Sequence, residues 1–291
     1  MFEEASHKHK LRMIWPERPG YGLSQECDPQ RLNALDWSEA LIQLADHLRL
    51  SRFSIIAQSV GTVFAMAVAH RYPSRVVGPI YCISPWVSTV QANTFKWTRR
   101  LPANLISKTL SFALDMMYLF NRPDTTTASA ENLTLTKADA INASPFSPSS
   151  LTLDEENAFL ASIENDQELS TDFPPHRPLR HMVRPHHISL YLAMNKQRMQ
   201  EPYHTGQLGD ILVALEKYHP FGFSYSQVMV SVSAVWGEQD ALLPRRSMDT
   251  FANQVRDIRL KILEGEGHDL VWKEGVMTWA IRGIGERWRA S

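Results

Sequence analysis

Cysteine is almost absent: the 291 residues hold two, Cys27 and Cys82. A disulfide framework and a thiolate metal site are thereby excluded, and a reducing, cytoplasmic setting is expected. A surplus of charge of either sign is missing too. The 30 Lys and Arg against 31 Asp and Glu leave a formal charge of −1, with the basic residues scattered along the chain, so nothing calls for a nucleic-acid partner. No run reaches the roughly 18 apolar residues that span a membrane; the nearest, Leu101 to Phe120, is broken by Pro102, Lys108 and Asp115. The first ten residues put charges where a secretory leader needs an apolar core, so the sequons at Asn132 and Asn142 carry little meaning. Internal repeats and low-complexity tracts are absent as well. What is present is ordinary for a globular protein, 44% apolar and 21% charged, in a chain long enough for one α/β domain with an insertion.

The stretch from Phe53 to His70 organises the rest. Phe53-Ser-Ile-Ile-Ala57 is a short, β-branched apolar run and predicts a buried strand. Gly61 to His70 is small or apolar at nearly every step and predicts a helix packed closely on a sheet. Between them Ala57-Gln58-Ser59-Val60-Gly61 departs by one residue from the G-x-S-x-G turn that sets a serine at the apex of a strand-to-helix reversal. Small flanking residues suit such a turn, and the helix behind it aims its first N–H groups at the serine.

Around this centre the chain alternates. Leu11-Arg-Met-Ile-Trp15 is a strand candidate, followed by the turn-forming Arg18-Pro-Gly-Tyr-Gly-Leu-Ser24. Asp36-Trp-Ser-Glu39 opens a helix as a capping-box variant. After the central stretch, Gly78 to Ser84 reads as a strand. Strand, helix, strand, helix, strand argues for a parallel sheet. From about residue 88 to 227 the alternation stops: prolines, serines and threonines crowd Asn121 to Leu153, and helical periodicity returns only at Leu101 to Phe120 and Ile188 to Met199. This insertion is too long for a plain loop. Val228 to Trp236 and Ile258 to Leu263 resume the sheet, with helices expected near Arg246 to Gln254 and from Val276 to Trp288.

Three groups then fall at the C-terminal ends of separate strands: Ser59, Asp240 and His268. Ligands and catalytic groups collect on that edge of open α/β sheets. A hydroxyl, a base to take its proton and a carboxylate to fix the base's tautomer are what nucleophilic catalysis needs. Each has a plainer reading: Ser59 as a small packing residue, Asp240 as a helix cap, His268 as a surface-loop histidine. His176, His181, His186 and His187 follow no zinc spacing, so no metal and no cofactor are expected.

Taken together, Arg18 to Ser24, Ala57 to Gly61, Trp236-Gly-Glu-Gln-Asp240 and Gly265-Glu-Gly-His268 resemble the capped, serine-nucleophile branch of the α/β-hydrolase family. The resemblance covers about residues 11–87 and 228 to the end. It implies an α/β fold, a mostly parallel sheet flanked by helices, with core parts at 1–87 and 228–291 and a helical cap over 88–227. It implies Ser59 as nucleophile, His268 as base, Asp240 as the orienting acid, and the elbow residues Gln58, Val60 and Gly61 around an oxyanion site with the Val60 N–H as one donor. The family also has earlier strands and a His-Gly loop giving a second donor. Nothing before residue 11 supplies these, so a hydrolase shortened at its N-terminus, lacking its first strands and weakly active, is expected.

The activity implied is cleavage of an ester, thioester or related acyl bond of a small apolar substrate through an acyl-enzyme. An acyltransferase would carry the same signature, and a non-catalytic hydrolase-like binding module is the alternative of another class.

Overall fold

The structure, a computed structural model, describes residues 2–102, 105–106, 205–273 and 275–290. Its first element was not expected: the charged N-terminus folds as helix α1, Phe2–Lys8. Leu11–Trp15, expected as a strand, is irregular chain. Lys10 takes a left-handed φ of 56° directly after α1. Leu11 and Met13 then turn inward onto a hydrophobic cluster, so their alternation is satisfied by packing rather than by a ladder partner. Trp15 is 65% exposed and stacks on Phe2 with ring centroids 6.4 Å apart.

Helix α2 runs Ala34–His47. It starts two residues before the expected Asp36 because Asn33 is the cap, its Oδ1 accepting from the Asp36 N–H at 2.8 Å. Asparagine is among the strongest N-caps, and it places the acidic Asp36 in the first turn, where the helix dipole favours it. The remaining elements follow in the expected alternation: β1 (Ile56–Gln58), α3 (Gly61–Arg71), β2 (Ile80–Ile83), α4 (Thr205–Ala214), β3 (Val232–Gly237), α5 (Arg245–Gln254), β4 (Ile258–Leu263) and α6 (Val276–Arg289). The helical cap expected over 88–227 falls for the most part on residues 107–204, outside the described residues, as do most of Leu101 to Phe120 and all of Ile188 to Met199.

Among the described residues the four strands form one parallel sheet in the order β1-β2-β3-β4. Register puts Ala57, Cys82, Ala234 and Leu260 in one row. This row of mostly small side chains faces the larger core, with α3, α2 and Phe251 of α5. Small residues on the strands let α3 settle close, and its Thr62 to Ala69 are all buried. The alternate positions Ile56, Tyr81, Ile83 and Val235 face the other way, onto α6 and onto Phe2 and Ala5 of α1. Both faces of the sheet are thus covered by helices, as a parallel sheet requires.

Candidate active site

Three strand ends build the site. β1 ends at Gln58, and Ser59 follows at φ 48°. This is the left-handed region, unusual for a residue with a Cβ, and it is where the turn is tightest. The strain is held by neighbours: the Ser59 N–H donates to the Ile83 carbonyl at 3.0 Å, and the Ser59 carbonyl accepts from the Trp86 N–H at 3.2 Å and the Thr62 N–H at 3.0 Å. The expectation that the elbow needs a minimal side chain at Gly61 is corrected. A Cβ there would meet no described atom within 4 Å, and the left-handed backbone sits on Ser59 instead. Ala57 is buried against the α3 side of the sheet, and Gln58 is half-buried at the end of β1.

Asp240 lies after β3 and is 8% exposed. Its Oδ1 accepts from the backbone N–H groups of Leu242 (3.0 Å) and Leu243 (2.8 Å), while Oδ2 lies 2.8 Å from His268 Nδ1. A carboxylate only accepts, so Nδ1 carries the proton. In that tautomer Nε2, 2.9 Å from Ser59 Oγ, is the acceptor. Three side chains separated by 28 and 209 residues therefore form one hydrogen-bonded line from carboxylate to hydroxyl. The helix-cap reading of Asp240 is partly right in kind: its other oxygen closes the turn before α5.

His268 arrives on the loop after β4. The end of β3 approaches this loop so closely that a Cβ on Gly237 would sit 2.2 Å from the Gly267 carbonyl oxygen and 2.4 Å from that of Glu266. The Gln239 N–H donates to the Glu266 carbonyl at 2.8 Å, and the buried Glu266 carboxylate pairs with Lys273 at 2.8 Å.

Val60 heads α3 with helical φ and ψ and no side-chain cap. Among the described residues no acceptor faces its N–H, one of the donors a helix start leaves unpaired, and it lies next to Ser59. Sequence reasoning missed Ser84, whose Oγ donates to the His268 carbonyl at 2.9 Å; a serine closing an apolar strand was the available signal. It also missed that Arg18 of the early turn pairs with the buried Asp210 of α4 and lies over the Phe64 ring at 4.9 Å. Burial opposes the Arg18 charge, and the hydrogen bonds and charge of Asp210 outweigh it, holding the guanidinium above its ordinary value. Burial, then the Asp210 carboxylate, likewise raises the Tyr21 phenol.

Among the described residues no three His, Cys, Asp or Glu side chains gather as a metal ion requires, and no helix is long and apolar enough to cross a membrane. The histidines at 176, 181, 186 and 187 lie outside the described residues.

The family model for the alpha/beta hydrolase fold matches residues 2–275. Among curated proteins no relative matches. Of solved structures, a thermophilic esterase from Thermogutta terrifontis is 14% identical, with 99% of this chain and 85% of that chain covered at a TM-score of 0.52. A monoacylglycerol lipase from Paleococcus ferrophilus is 12% identical over 98% of this chain and 88% of that one, TM-score 0.48. A meta-cleavage product hydrolase from Pseudomonas fluorescens IP01 is 13% identical over 99% and 84%, TM-score 0.47. At these identities the likeness is one of fold.

Proposed function

This chain belongs to the alpha/beta hydrolase fold family, and we propose from that membership that it is a serine hydrolase cleaving an ester, thioester or related acyl bond of a small apolar molecule. The observation that carries the reading is the line Asp240 Oδ2, His268 Nδ1 and Nε2, Ser59 Oγ, with contacts of 2.8 and 2.9 Å. In this reading Ser59 Oγ attacks the acyl carbon while its proton passes to His268 Nε2. Asp240 holds Nδ1–H and stabilises the imidazolium that forms. The negative oxygen of the tetrahedral intermediate takes the Val60 N–H at the start of α3. On collapse, His268 returns the proton to the leaving oxygen or sulfur, and an ester of Ser59 remains. Water then repeats the sequence in reverse, giving up a proton to His268 and releasing the acid.

The elbow supports the reading by leaving Ser59 half-buried while Thr62 to Ala69 of the helix behind it are buried. The apolar character of the substrate is inferred from Val60, the half-buried apolar side chain next to the nucleophile. The test is labelling of the full chain with a fluorophosphonate. The wild type is expected to label at one site and Ser59→Ala not at all, with thermal unfolding nearly unchanged. Persistent labelling of Ser59→Ala would remove Ser59 from the role.

A further inference from the structure

We propose that Ser84 is a positioning residue: its hydroxyl fixes the main chain of His268, and so the height of the imidazole over Ser59. The proposal rests on the serine hydrolase reading for its kinetic consequence, and on geometry alone for its placement.

The loop that carries His268 is permissive by composition. Gly265 stands at φ 72°, and a Cβ added at Gly267 would meet no described atom within 4 Å, so two glycines leave the loop without side-chain restraint of their own. A base on such a loop needs outside anchors. Asp240 grips the ring from one side at Nδ1. The backbone is gripped from the other side by Ser84 Oγ, which donates to the His268 carbonyl at 2.9 Å, a carbonyl that also accepts from the Leu270 N–H at 2.9 Å.

The position of Ser84 gives this bond its consequence. It follows the last residue of β2, and its own N–H donates to the Val235 carbonyl of β3 at 2.9 Å. The preceding Ile83 carbonyl holds the Ser59 N–H, and the Trp86 N–H two residues later holds the Ser59 carbonyl. One four-residue segment, Ile83 to Trp86, therefore references both the nucleophile and the base to the same strand end. Two of its three grips are backbone bonds; the third is the Ser84 side chain.

Backbone conformation alone does not ask for serine here. At φ 45° glycine is the unstrained choice, and Ser84 is 0% exposed, so its hydroxyl gains nothing from water. Its polar side-chain partner is the His268 carbonyl.

The experiment compares the full chain with Ser84→Ala, Ser84→Gly and Ser84→Cys. Ala keeps the Cβ and the strain, Gly relieves the strain, and both remove the hydroxyl; Cys keeps a weak donor. The first readout is the low-field proton resonance of His268 Nδ1–H against Asp240, assigned by its loss in Asp240→Asn. It is expected in the wild type, broadened or lost in both Ala and Gly variants, and partly retained in Cys. The second is hydrolysis of p-nitrophenyl butyrate, where kcat should fall about tenfold in Ala and Gly alike with KM unchanged, the size expected of a small misplacement of a reacting group. An unchanged resonance, with the variants differing only in melting temperature, would overturn the proposal, as would a wild type lacking the resonance. If the wild type neither labels with fluorophosphonate nor turns over ester, the hydrolase reading fails, while the resonance still decides the role of Ser84.

Discussion

Asp240 divides its two oxygens between the turn before α5 and His268. Oδ1 ties the turn through the Leu242 and Leu243 N–H groups, and Oδ2 faces His268. Asp240→Asn can keep the first bond pattern while its amide opposes the Nδ1–H, selecting the wrong tautomer. Turnover of a p-nitrophenyl ester should fall by about four orders of magnitude, and the melting temperature should stay within a few degrees. A large loss of stability with activity per folded molecule intact would reduce Asp240 to its turn-closing bonds. The two thiols differ as sharply. Burial pushes the Cys82 thiol from 9.0 up to about 12, whereas Cys27 is only half-buried. Iodoacetamide on the native chain at pH 8 should modify Cys27 and spare Cys82 until the protein unfolds. Because the folded pKa is the higher one, the unfolded chain loses its proton first. The stability from Cys82 is therefore fully present below pH 9 and is lost as pH rises towards 12. Urea midpoints should decline across that window, and Cys82→Ala should flatten the decline. Burial also raises the Tyr81 and Tyr225 phenols, so a part of the slope should survive.

At the scale of elements, the meeting of β3 with the loop after β4 is the tightest joint near the site. Gly237→Ala drives a methyl into the Gly267 and Glu266 carbonyls, and relief requires the loop bearing His268 to move. A loss of about 2 kcal/mol in urea unfolding, with at least a hundredfold drop in fluorophosphonate labelling rate, is the expected result; normal labelling would show that the loop moves without taking His268 along. That joint also marks what could be read beforehand. Gly237 and Asp240 were visible because turn residues punctuate a strongly β-prone run, and Ser59 because a strand-like run met a helix-like one across a serine. Leu11–Trp15 misled because alternation reports which side chains turn inward and not whether a neighbouring strand exists to pair with. Ser84 and Trp86 were hidden because their partners are backbone groups 184 and 27 residues away, and no local pattern encodes such bonds. The start of α2 was missed since Asn and Asp are equally favoured caps, and only the extended backbone at Asn33 shows which of the two stands outside the helix.

Across the whole molecule, distant parts of the chain are tied at the base of the 88–227 segment. Arg18 reaches Asp210 across 192 positions, with Nε at 2.9 Å from Oδ1, and Tyr21 adds a bond of 2.8 Å. Glu216 accepts from Ser88 Oγ (2.7 Å) and the Val90 N–H (3.0 Å), and Lys217 Nζ donates to the Leu101 carbonyl at 2.7 Å. Trp86 Nε1 donates to the Ala214 carbonyl at 2.8 Å, and Tyr225 Oη–H to the Trp86 carbonyl at 2.9 Å. The outgoing and returning ends of the segment are thus stitched together beside the strand end that holds Ser59.

Such stitching predicts that the stretch between them can be exchanged without loss of the core. With Lys217 against Leu101, α4 carries the returning end back from Ala214 to Thr205 at about 1.5 Å per residue, so the two ends are separated by a distance on the order of 25 Å. A Gly/Ser tether of about 20 residues has a root-mean-square span near that distance. Put in place of residues 107–204, it shortens the excursion about fivefold and lowers the entropic cost of closing it by about 1.4 kcal/mol. The grafted chain should therefore fold and keep fluorophosphonate reactivity at Ser59, while its preference among acyl chain lengths changes; an insoluble or unreactive product would mean that the excised stretch supports the core itself. Selectivity and chemistry would then be separately replaceable parts, and a different cassette on the same two anchor points would be a route to a different substrate without touching the sheet.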